Sequence, residues 1–148
     1  MEIITKNSYQ TKKLGEILAR EILKSNFKKS AILALEGDLG GGKTTFLQGF
    51  AKGLGIKEKI LSPTFVILKK FQIPNSKFQY FYHFDCYRIK ESKEVLKLGF
   101  KKLISSPKNI VSIEWADKIR KILPRKLIKI KFKFLDKNTR KIKVKINV

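Results

Sequence analysis

Cysteine, acidic residues and long apolar runs are all scarce in this chain of 148 residues. Its single cysteine, Cys86, excludes an internal disulfide and is typical of a protein from a reducing compartment. No apolar run is long enough to cross a membrane, and the polar residues that follow positions 1–4 do not resemble a secretory signal, so we expect a cytoplasmic protein with no membrane contact. The length and the ordinary apolar content predict one domain over residues 1–148.

The shortage of acidic residues leaves the chain strongly basic. Twelve Asp and Glu stand against 34 Lys and Arg, which gives a formal net charge of +22. A charge of this size is compatible with a nucleic-acid partner. The lysines are spread along the whole chain, however, and a lysine-rich and isoleucine-rich proteome would produce the same surface. Charge alone therefore leaves both interpretations open.

Glycine is concentrated in one segment, residues 37–45, which fits the phosphate-binding pattern G-x-x-x-x-G-K-[ST]. Glycines allow the tight turn that brings backbone N–H groups against phosphate oxygens. Lys43 supplies a positive charge for the β- and γ-phosphates, and Thr44 offers a hydroxyl to Mg²⁺. The loop residues predicted to bind nucleotide are Gly37, Asp38, Leu39, Gly40, Gly41, Gly42, Lys43, Thr44 and Thr45.

The segments on either side of the loop favour a real nucleotide site over a chance glycine turn. Residues 30–36 are predicted to form a short buried strand, and residues 43–54 a helix with apolar side chains at helical spacing. Strand, loop and helix in this order are the context that the motif requires.

An N-terminal helix is predicted from Asn7 or Ser8 to about Lys24, after a short strand at residues 2–5. The first turn, with Ser8 and Thr11, either lies beside a bound base or is a plain helix start. The apolar face of this helix is predicted to consist of Leu14, Ile17, Leu18, Ile22 and Leu23.

Two acidic residues end predicted strands in the second half of the chain. An aromatic strand at residues 78–84 leads to Asp85, and an apolar strand over residues 109–115 carries Glu114 and Trp115. A carboxylate at the end of a buried strand is suited to Mg²⁺ or to the attacking water. Glu114 is therefore assigned to the metal with Thr44, and Asp85 to catalysis with Lys43.

Other chemically reactive side chains near these strands carry weaker signals. A lone histidine such as His83 is usually structural, and Cys86 has no evident base partner, so a nucleophilic role is not expected.

Pro63 makes Ser62 extended, and the segment leads into a strand predicted at residues 65–68. Thr64 lies where a switch segment would contact the γ-phosphate, although a simple connector fits equally well.

Apolar residues and lysines alternate with a period of two between residues 128 and 148, on either side of a polar turn at 136–138. This predicts a β-hairpin with one buried face. The opposite face is either a solvated edge that resists aggregation or a contact for an acidic partner or RNA, and the first is favoured. Its lysines are Lys129, Lys131, Lys133, Lys141, Lys143 and Lys145.

Several motifs are missing after the loop, and each absence removes a class of nucleotide-binding protein. D-x-x-G and N-K-x-D do not occur, which disfavours a Ras-type GTPase, and the chain is too short for a RecA-like or AAA motor. A small-molecule kinase remains an alternative, with Asp85 as its base, although the five arginines are scattered. An RNA-binding module with a vestigial nucleotide site is a further alternative.

Four separated motifs together resemble one family. In order and spacing they are similar to those of TsaE (also called YjeE), the bacterial ATPase of tRNA threonylcarbamoyladenosine biosynthesis. Thr11-x-x-Leu14-Gly15-Glu16 also resembles the family, whereas Gly41 and Ala116 stand where it usually has alanine and proline. The motifs are residues 37–45, Ser62-Pro63-Thr64-Phe65, His83-Phe84-Asp85-Cys86-Tyr87-Arg88 and Ile113-Glu114-Trp115.

The resemblance implies a single P-loop ATPase domain that binds ATP or ADP with Mg²⁺. The expected fold is α/β, a P-loop NTPase-like three-layer sandwich with a mixed central sheet and a C-terminal β-hairpin. The resemblance implies a switch role for Ser62 and Thr64, an essential acid at Asp85, and Trp115 at the nucleotide. It also implies that the chain acts on a TsaB–TsaD complex, which itself transfers the threonylcarbamoyl group to tRNA. Hydrolysis is expected to be slow without this partner, because Arg88 is the only arginine predicted near the site.

Overall fold

A computed structural model describes residues 1–61 and 67–147 of the chain. Seven strands and four α-helices are present in these ranges, with one 3₁₀ helix between the fifth and sixth strands. The strands are β1 (Glu2–Thr5), β2 (Ala31–Gly37), β3 (Leu68–Gln72), β4 (Tyr80–Asp85), β5 (Asn109–Glu114), β6 (Leu127–Phe134) and β7 (Arg140–Asn147). The helices are α1 (Ser8–Lys24), α2 (Lys43–Gly53), α3 (Lys93–Leu96), α4 (Phe100–Leu103) and the 3₁₀ helix Ala116–Ile122.

The strands form one mixed sheet in the order β1-β7-β6-β2-β5-β4-β3. The pairs β2–β5, β2–β6 and β4–β5 are parallel, whereas β6–β7, β1–β7 and β3–β4 are antiparallel. Parallel neighbours end at the same edge of a sheet, and this is the usual place for a ligand in an open α/β fold. Gly37, Asp85 and Glu114, the last residues of β2, β4 and β5, therefore meet at one edge.

Helices α1 and α2 cover one face of the sheet and pack closely against each other. Their backbones approach at two glycines: a Cβ on Gly15 would lie 2.2 Å from the carbonyl oxygen of Phe46, and one on Gly49 would lie 1.9 Å from that of Lys12. The predicted apolar face of α1 is wrong at Ile17, which is 48% exposed. The helix is instead rotated so that small residues, Gly15 and Ala19, face α2.

The other face of the sheet is covered over part of its width. Val95 of α3, Phe100 of α4 and Ile119 of the 3₁₀ helix pack on residues of β2, β4 and β5 in a second apolar cluster. The lysines of β6 and β7 lie on this same side of the sheet but beyond that cluster. The α/β fold with helices on both faces of a mixed sheet confirms the prediction, including the C-terminal hairpin of β6 and β7.

Several predicted boundaries differ from the observed ones. Of the strand predicted at residues 65–68, Leu68 is confirmed as the first residue of β3, Ile67 precedes the strand, and β3 runs further than predicted, to Gln72. Phe78 is buried but precedes β4, and α4 was not predicted. Residues 62–66, including Ser62 and Thr64, lie outside the described ranges. Within those ranges no helix combines the length and the apolar character needed to span a membrane.

Candidate nucleotide-binding site

The glycine-rich loop connects the end of β2 to the start of α2, as the motif requires. Gly42 is the N-cap residue of α2 and has a φ of 98°, a conformation that glycine adopts without strain. The loop is held against β6, because the Asp38 amide donates to the Phe132 carbonyl and the Asp38 carboxylate accepts from the Phe134 amide, both at 3.3 Å. These bonds set the entrance of the loop, and the N–H groups at the start of α2 follow it directly.

The side chain of Lys43, the first residue of α2, is buried against the glycine-rich loop. Its Nζ donates to the carbonyl oxygens of Gly37 at 2.9 Å and Asp38 at 2.8 Å, and lies 4.2 Å from the ring centre of Trp115. Burial lowers the pKa of Lys43, and the nearby carboxylates, Glu114 foremost, oppose this effect. A desolvated ammonium group held at the centre of the loop is suited to an anionic ligand.

Glu114 connects the loop helix to the end of β4. Its Oε1 accepts a hydrogen bond of 3.1 Å from Thr44 Oγ1, and its Oε2 lies 2.7 Å from His83 Nε2. Glu114 and His83 are almost fully buried, with relative exposures of 2% and 1%. A buried carboxylate bonded to both a loop hydroxyl and an imidazole has a fixed orientation, and the structure thus brings the two predicted metal ligands into contact.

The donor set at this point fits Mg²⁺. Thr44 and Glu114 offer hard oxygen atoms, a hydroxyl and a carboxylate, and a Mg²⁺ ion completes such a set with water and substrate phosphates. The described residues contain no group of three or more His, Cys, Asp or Glu that could bind a metal by themselves. The pattern is that of a metal held jointly by protein and nucleotide, not of a closed protein cage.

Asp85 lies at the edge of the sheet beside Glu114. The two residues are direct register partners on the parallel strands β4 and β5, so their side chains project to the same face. Asp85 Oδ1 accepts a hydrogen bond of 3.0 Å from the Tyr87 amide, and the residue is 8% exposed. Asp85 does not itself line the cleft described below. Its neighbour Cys86 is fully buried, and burial, helped by the Asp85 charge, raises the pKa of its thiol to about 12.

A cleft of about 370 Å³ opens over the loop. It is bounded by the start of α1, the phosphate-binding loop, the ends of β5, and the turn between β6 and β7. Of the predicted nucleotide-binding residues, all except Gly37 and Asp38 line the cleft. The lining residues are Asn7, Ser8, Thr11, Leu39, Gly40, Gly41, Gly42, Lys43, Thr44, Thr45, Glu114, Trp115, Lys137, Asn138 and Arg140.

The start of α1 contributes one wall, as expected from Ser8 and Thr11. Asn7 caps the helix by accepting from the Gln10 amide, and Ser8 is the first helical residue. Thr11 is buried and its hydroxyl bonds to the Thr5 hydroxyl at 2.8 Å. The Thr11 hydroxyl is therefore held within the protein, while Ser8 is exposed at the cleft.

The opposite wall comes from the C-terminal hairpin, for which the sequence predicted no place at the site. Arg140 Nε donates to the Gly40 carbonyl at 2.9 Å, and its Nη1 donates to three carbonyls of the β6–β7 turn at 2.7–3.4 Å. Arg140, not Arg88, is the arginine that lines the cleft among the described residues. The only signal in the sequence was the position of Arg140 just after a turn, and nothing there indicated which loop it would meet.

The contact of His83 with Glu114 was not predicted from the sequence. A histidine two residues before Asp85 on one strand projects to the same face, and this spacing was the available signal. Its Nδ1 has no hydrogen-bond partner among the described residues, and neither has Ser112 Oγ, its register partner on β5. Both polar atoms are buried, and both residues lie close to Glu114, His83 through its hydrogen bond and Ser112 two positions earlier on β5.

Trp115 has an unusual backbone conformation next to Glu114. Its φ is 58°, in the left-handed region that a bulky side chain rarely adopts, and such strain clusters at functional sites. The ring contacts Lys43 on one side and Tyr87 on the other, with the Tyr87 ring centre 5.0 Å away. The strained backbone keeps the indole over the loop lysine.

Comparison with known proteins identifies the family of this chain. The family model of "Threonylcarbamoyl adenosine biosynthesis protein TsaE" matches residues 5–142. The chain belongs to the TsaE family.

Relatives in that family are similar over most of their length. The protein of Rickettsia felis named tRNA threonylcarbamoyladenosine biosynthesis protein TsaE is 36% identical over 139 residues, 93% of this chain and 75% of that protein. The Bacillus subtilis protein of the same name is 36% identical over 138 residues, 93% and 80% of the two chains. The crystal structure of Bacillus subtilis YdiB superimposes with a TM-score of 0.76 and 30% identity, over 100% of this chain and 86% of that one.

Proposed function

We propose that this TsaE-family chain is a Mg²⁺-dependent ATPase that supports formation of N6-threonylcarbamoyladenosine in tRNA. Its family membership supports the pathway, since the relatives carry the name of that biosynthesis. The observation that carries the ATPase assignment is the hydrogen bond from Thr44 of the phosphate-binding loop to Glu114 at the end of β5. The two groups that hold Mg²⁺ in loop-type NTPases are a hydroxyl and a strand-end acid, and here they touch.

Each side chain at the edge of the sheet has a role in this proposal. Bound MgATP supplies the phosphoanhydride bond and the metal charge that neutralises its phosphates. Lys43 binds the β- and γ-phosphate oxygens, together with the amides at the start of α2. Glu114, oriented by His83, holds the metal with Thr44. Asp85, the register partner of Glu114, would orient the attacking water, and catalysis would consist of positioning and charge neutralisation.

We further propose that hydrolysis depends on a TsaB–TsaD partner. The Arg140 guanidinium donates to the loop and to the β6–β7 turn, so it serves to hold the cleft wall and is not free to approach a transferred phosphoryl group. An arginine or an ordering contact from a partner would raise the rate, as it does in other loop-type NTPases. The chain itself has ATPase groups and leaves the threonylcarbamoyl transfer to the partner complex.

The test is ATP turnover by the purified chain, alone and with TsaB and TsaD from the same organism. We expect slow hydrolysis alone and stimulation by the pair, together with repeated rounds of tRNA modification that require the chain. Phosphoryl transfer to an added small acceptor, with no effect of the pair, would instead establish a kinase. No stimulation and no association with the pair would refute the partner assignment while leaving ATP binding to be judged by titration.

A further inference from the structure

The six lysines of the C-terminal hairpin form a single array on the sheet, here called the lysine face: Lys129, Lys131, Lys133, Lys141, Lys143 and Lys145. The register pairs them directly across the two strands, Lys129 with Lys145, Lys131 with Lys143, and Lys133 with Lys141. Neighbours along a strand are about 6.7 Å apart and partners across it about 5 Å apart. The array is therefore two columns of three positive charges.

Edge protection does not explain the lysine face. Lysine on an exposed edge strand prevents pairing with other chains. However, β6 lies between β2 and β7, and β1 pairs with residues 140–143 of β7, so on β7 only the end with Lys145 has an open side. The edge strands of the described sheet are β1 and β3. The explanation that the sequence alone favoured therefore applies at most to Lys145 and leaves the other five lysines unexplained.

The charges of the lysine face are mostly uncompensated. Lys129 pairs with Glu36 at 3.1 Å, and Lys141 pairs with Glu2 at 3.2 Å, at the two margins of the array. Within residues 1–61 and 67–147 no ion pair involves Lys131, Lys133, Lys143 or Lys145, and all four are exposed. Like charges directly opposite each other on a sheet are destabilising. An anionic ligand that lies along both columns would relieve this repulsion.

The composition of the face selects a phosphate backbone over a protein partner. Protein interfaces are depleted in lysine and depend on buried aromatic or arginine anchors. On β6 and β7 the lysine face has no aromatic residue, because Phe132 and Phe134 alternate with the lysines and project to the opposite face of the sheet. Lysine is a compact point charge on a flexible stem, which binds phosphate without reading bases. Regularly spaced lysines on an open surface match the regularly spaced phosphates of a nucleic-acid backbone.

We propose that the lysine face binds the phosphodiester backbone of structured RNA, in a manner independent of base sequence. The choice of RNA over DNA rests on the proposed function in tRNA modification. The face lies outside the cleft, because the cleft residues of the hairpin are Lys137, Asn138 and Arg140. RNA binding and nucleotide turnover are therefore separable by mutation.

The experiment compares two quadruple variants that remove the same four charges. One changes Lys131, Lys133, Lys143 and Lys145 to Gln; the matched control changes the exposed lysines Lys57, Lys59, Lys101 and Lys102 to Gln. Binding of unmodified tRNA is measured between 50 and 200 mM salt (roughly the range over which phosphate contacts weaken). We expect the first variant to bind at least about 10-fold more weakly and to lower the slope of log K against log salt by about 3, from about 0.7–0.9 for each lost contact.

Further measurements in the same experiment distinguish the possible explanations of a change in tRNA binding. ATP binding and turnover without RNA should be unchanged in the lysine-face variant, so a failure of the proposed ATPase would be seen separately from a failure of RNA binding. An equal loss in the control variant would overturn the proposal in favour of general charge attraction. A DNA hairpin of the same length that binds equally well would overturn the choice of RNA. Poly-glutamate that binds more tightly than tRNA would point to an acidic protein instead.

Discussion

Lys43 combines two conditions that a protein avoids unless a ligand requires them, since it is charged and only 5% exposed. Burial lowers its pKa, so the folded chain gains little from the charge itself. Its two hydrogen bonds go to loop carbonyls, which places the ammonium where the phosphates of the proposed nucleotide would lie. The side chain is therefore expected to matter more for ligand binding than for the fold.

We predict that Lys43→Ala keeps the fold and loses nucleotide. A charged hydrogen bond to phosphate is removed at a desolvated position, so ATP affinity should fall at least about 10-fold. Turnover should become undetectable, while the melting temperature stays close to that of the parent. Calorimetric titration and thermal melting are the measurements, with Lys52→Ala on the exposed side of α2 as the control. Unchanged affinity in a folded Lys43→Ala variant would refute the site.

Cys86 gives a prediction about pH. In the unfolded chain the thiol ionises near its ordinary pKa of 9.0, but burial raises the folded value to about 12. Below pH 9 the thiol is protonated in both states; above it the unfolded state binds fewer protons, so stability falls as pH rises toward 12. We expect the free energy of unfolding to drop by up to about 1.4 kcal/mol per pH unit more steeply than in Cys86→Ala.

Denaturant unfolding of the two proteins between pH 8 and 10.5 measures this difference. The comparison between the two proteins removes every contribution to the pH dependence that they share. Parallel stability curves for the parent and Cys86→Ala would show that the thiol ionises as easily in the folded chain as in the unfolded one.

At the scale of elements, the contact of α1 with α2 depends on glycine and brings the start of α1 to the cleft. We predict that Gly49→Ala destabilises the protein by about 1–3 kcal/mol, because the new Cβ would meet the Lys12 carbonyl at 1.9 Å. In an isolated helix the same change stabilises by about 1 kcal/mol. The sign of the change in the free energy of unfolding therefore distinguishes close packing against α1 from helix propensity. Thermal unfolding gives the sign, and a stabilised variant would contradict the observed packing of the two helices.

The β6–β7 hairpin acts on the loop through Arg140. We predict that Arg140→Ala weakens ATP binding by about 3- to 10-fold, because the Gly40 carbonyl loses its donor and one wall of the cleft loosens. Arg140→Lys keeps the charge but not the planar fork and should behave similarly. Titration with ATP tests both variants, and Arg88→Ala is the control, since Arg88 does not line the cleft. Parent-like affinity in Arg140→Ala would leave the hairpin without a role at the site.

At the scale of the whole molecule, a net charge of +22 makes the folded state repel itself. We predict that the melting temperature rises by about 2–4 °C between 0.05 and 0.5 M NaCl, which corresponds to screening of roughly 1 kcal/mol. The variant with Gln at positions 131, 133, 143 and 145 should show a smaller rise than the control quadruple variant. Equal salt dependence in both would mean that the repulsion is spread evenly and not concentrated on the lysine face.

The sequence by itself determined the local chemistry of the chain. The glycine-rich loop, its strand and its helix were predictable because each depends on residues that are neighbours along the chain. The period-two hairpin and the acid at the end of β5 were predictable for the same reason. Membership of the TsaE family followed from four such local motifs, and the family model confirmed it.

Only the tertiary structure decided which distant segments meet. The contacts of Arg140 with Gly40 and of His83 with Glu114 join residues 100 and 31 positions apart, and no periodicity in the sequence encodes such a pair. The rotation of α1 toward Gly15 and Ala19 followed from how closely two backbones can approach, which a count of apolar residues cannot show. The position of β6 and β7 between β1 and β2 depended on strand pairing, and it changed which function is favoured for the lysine face.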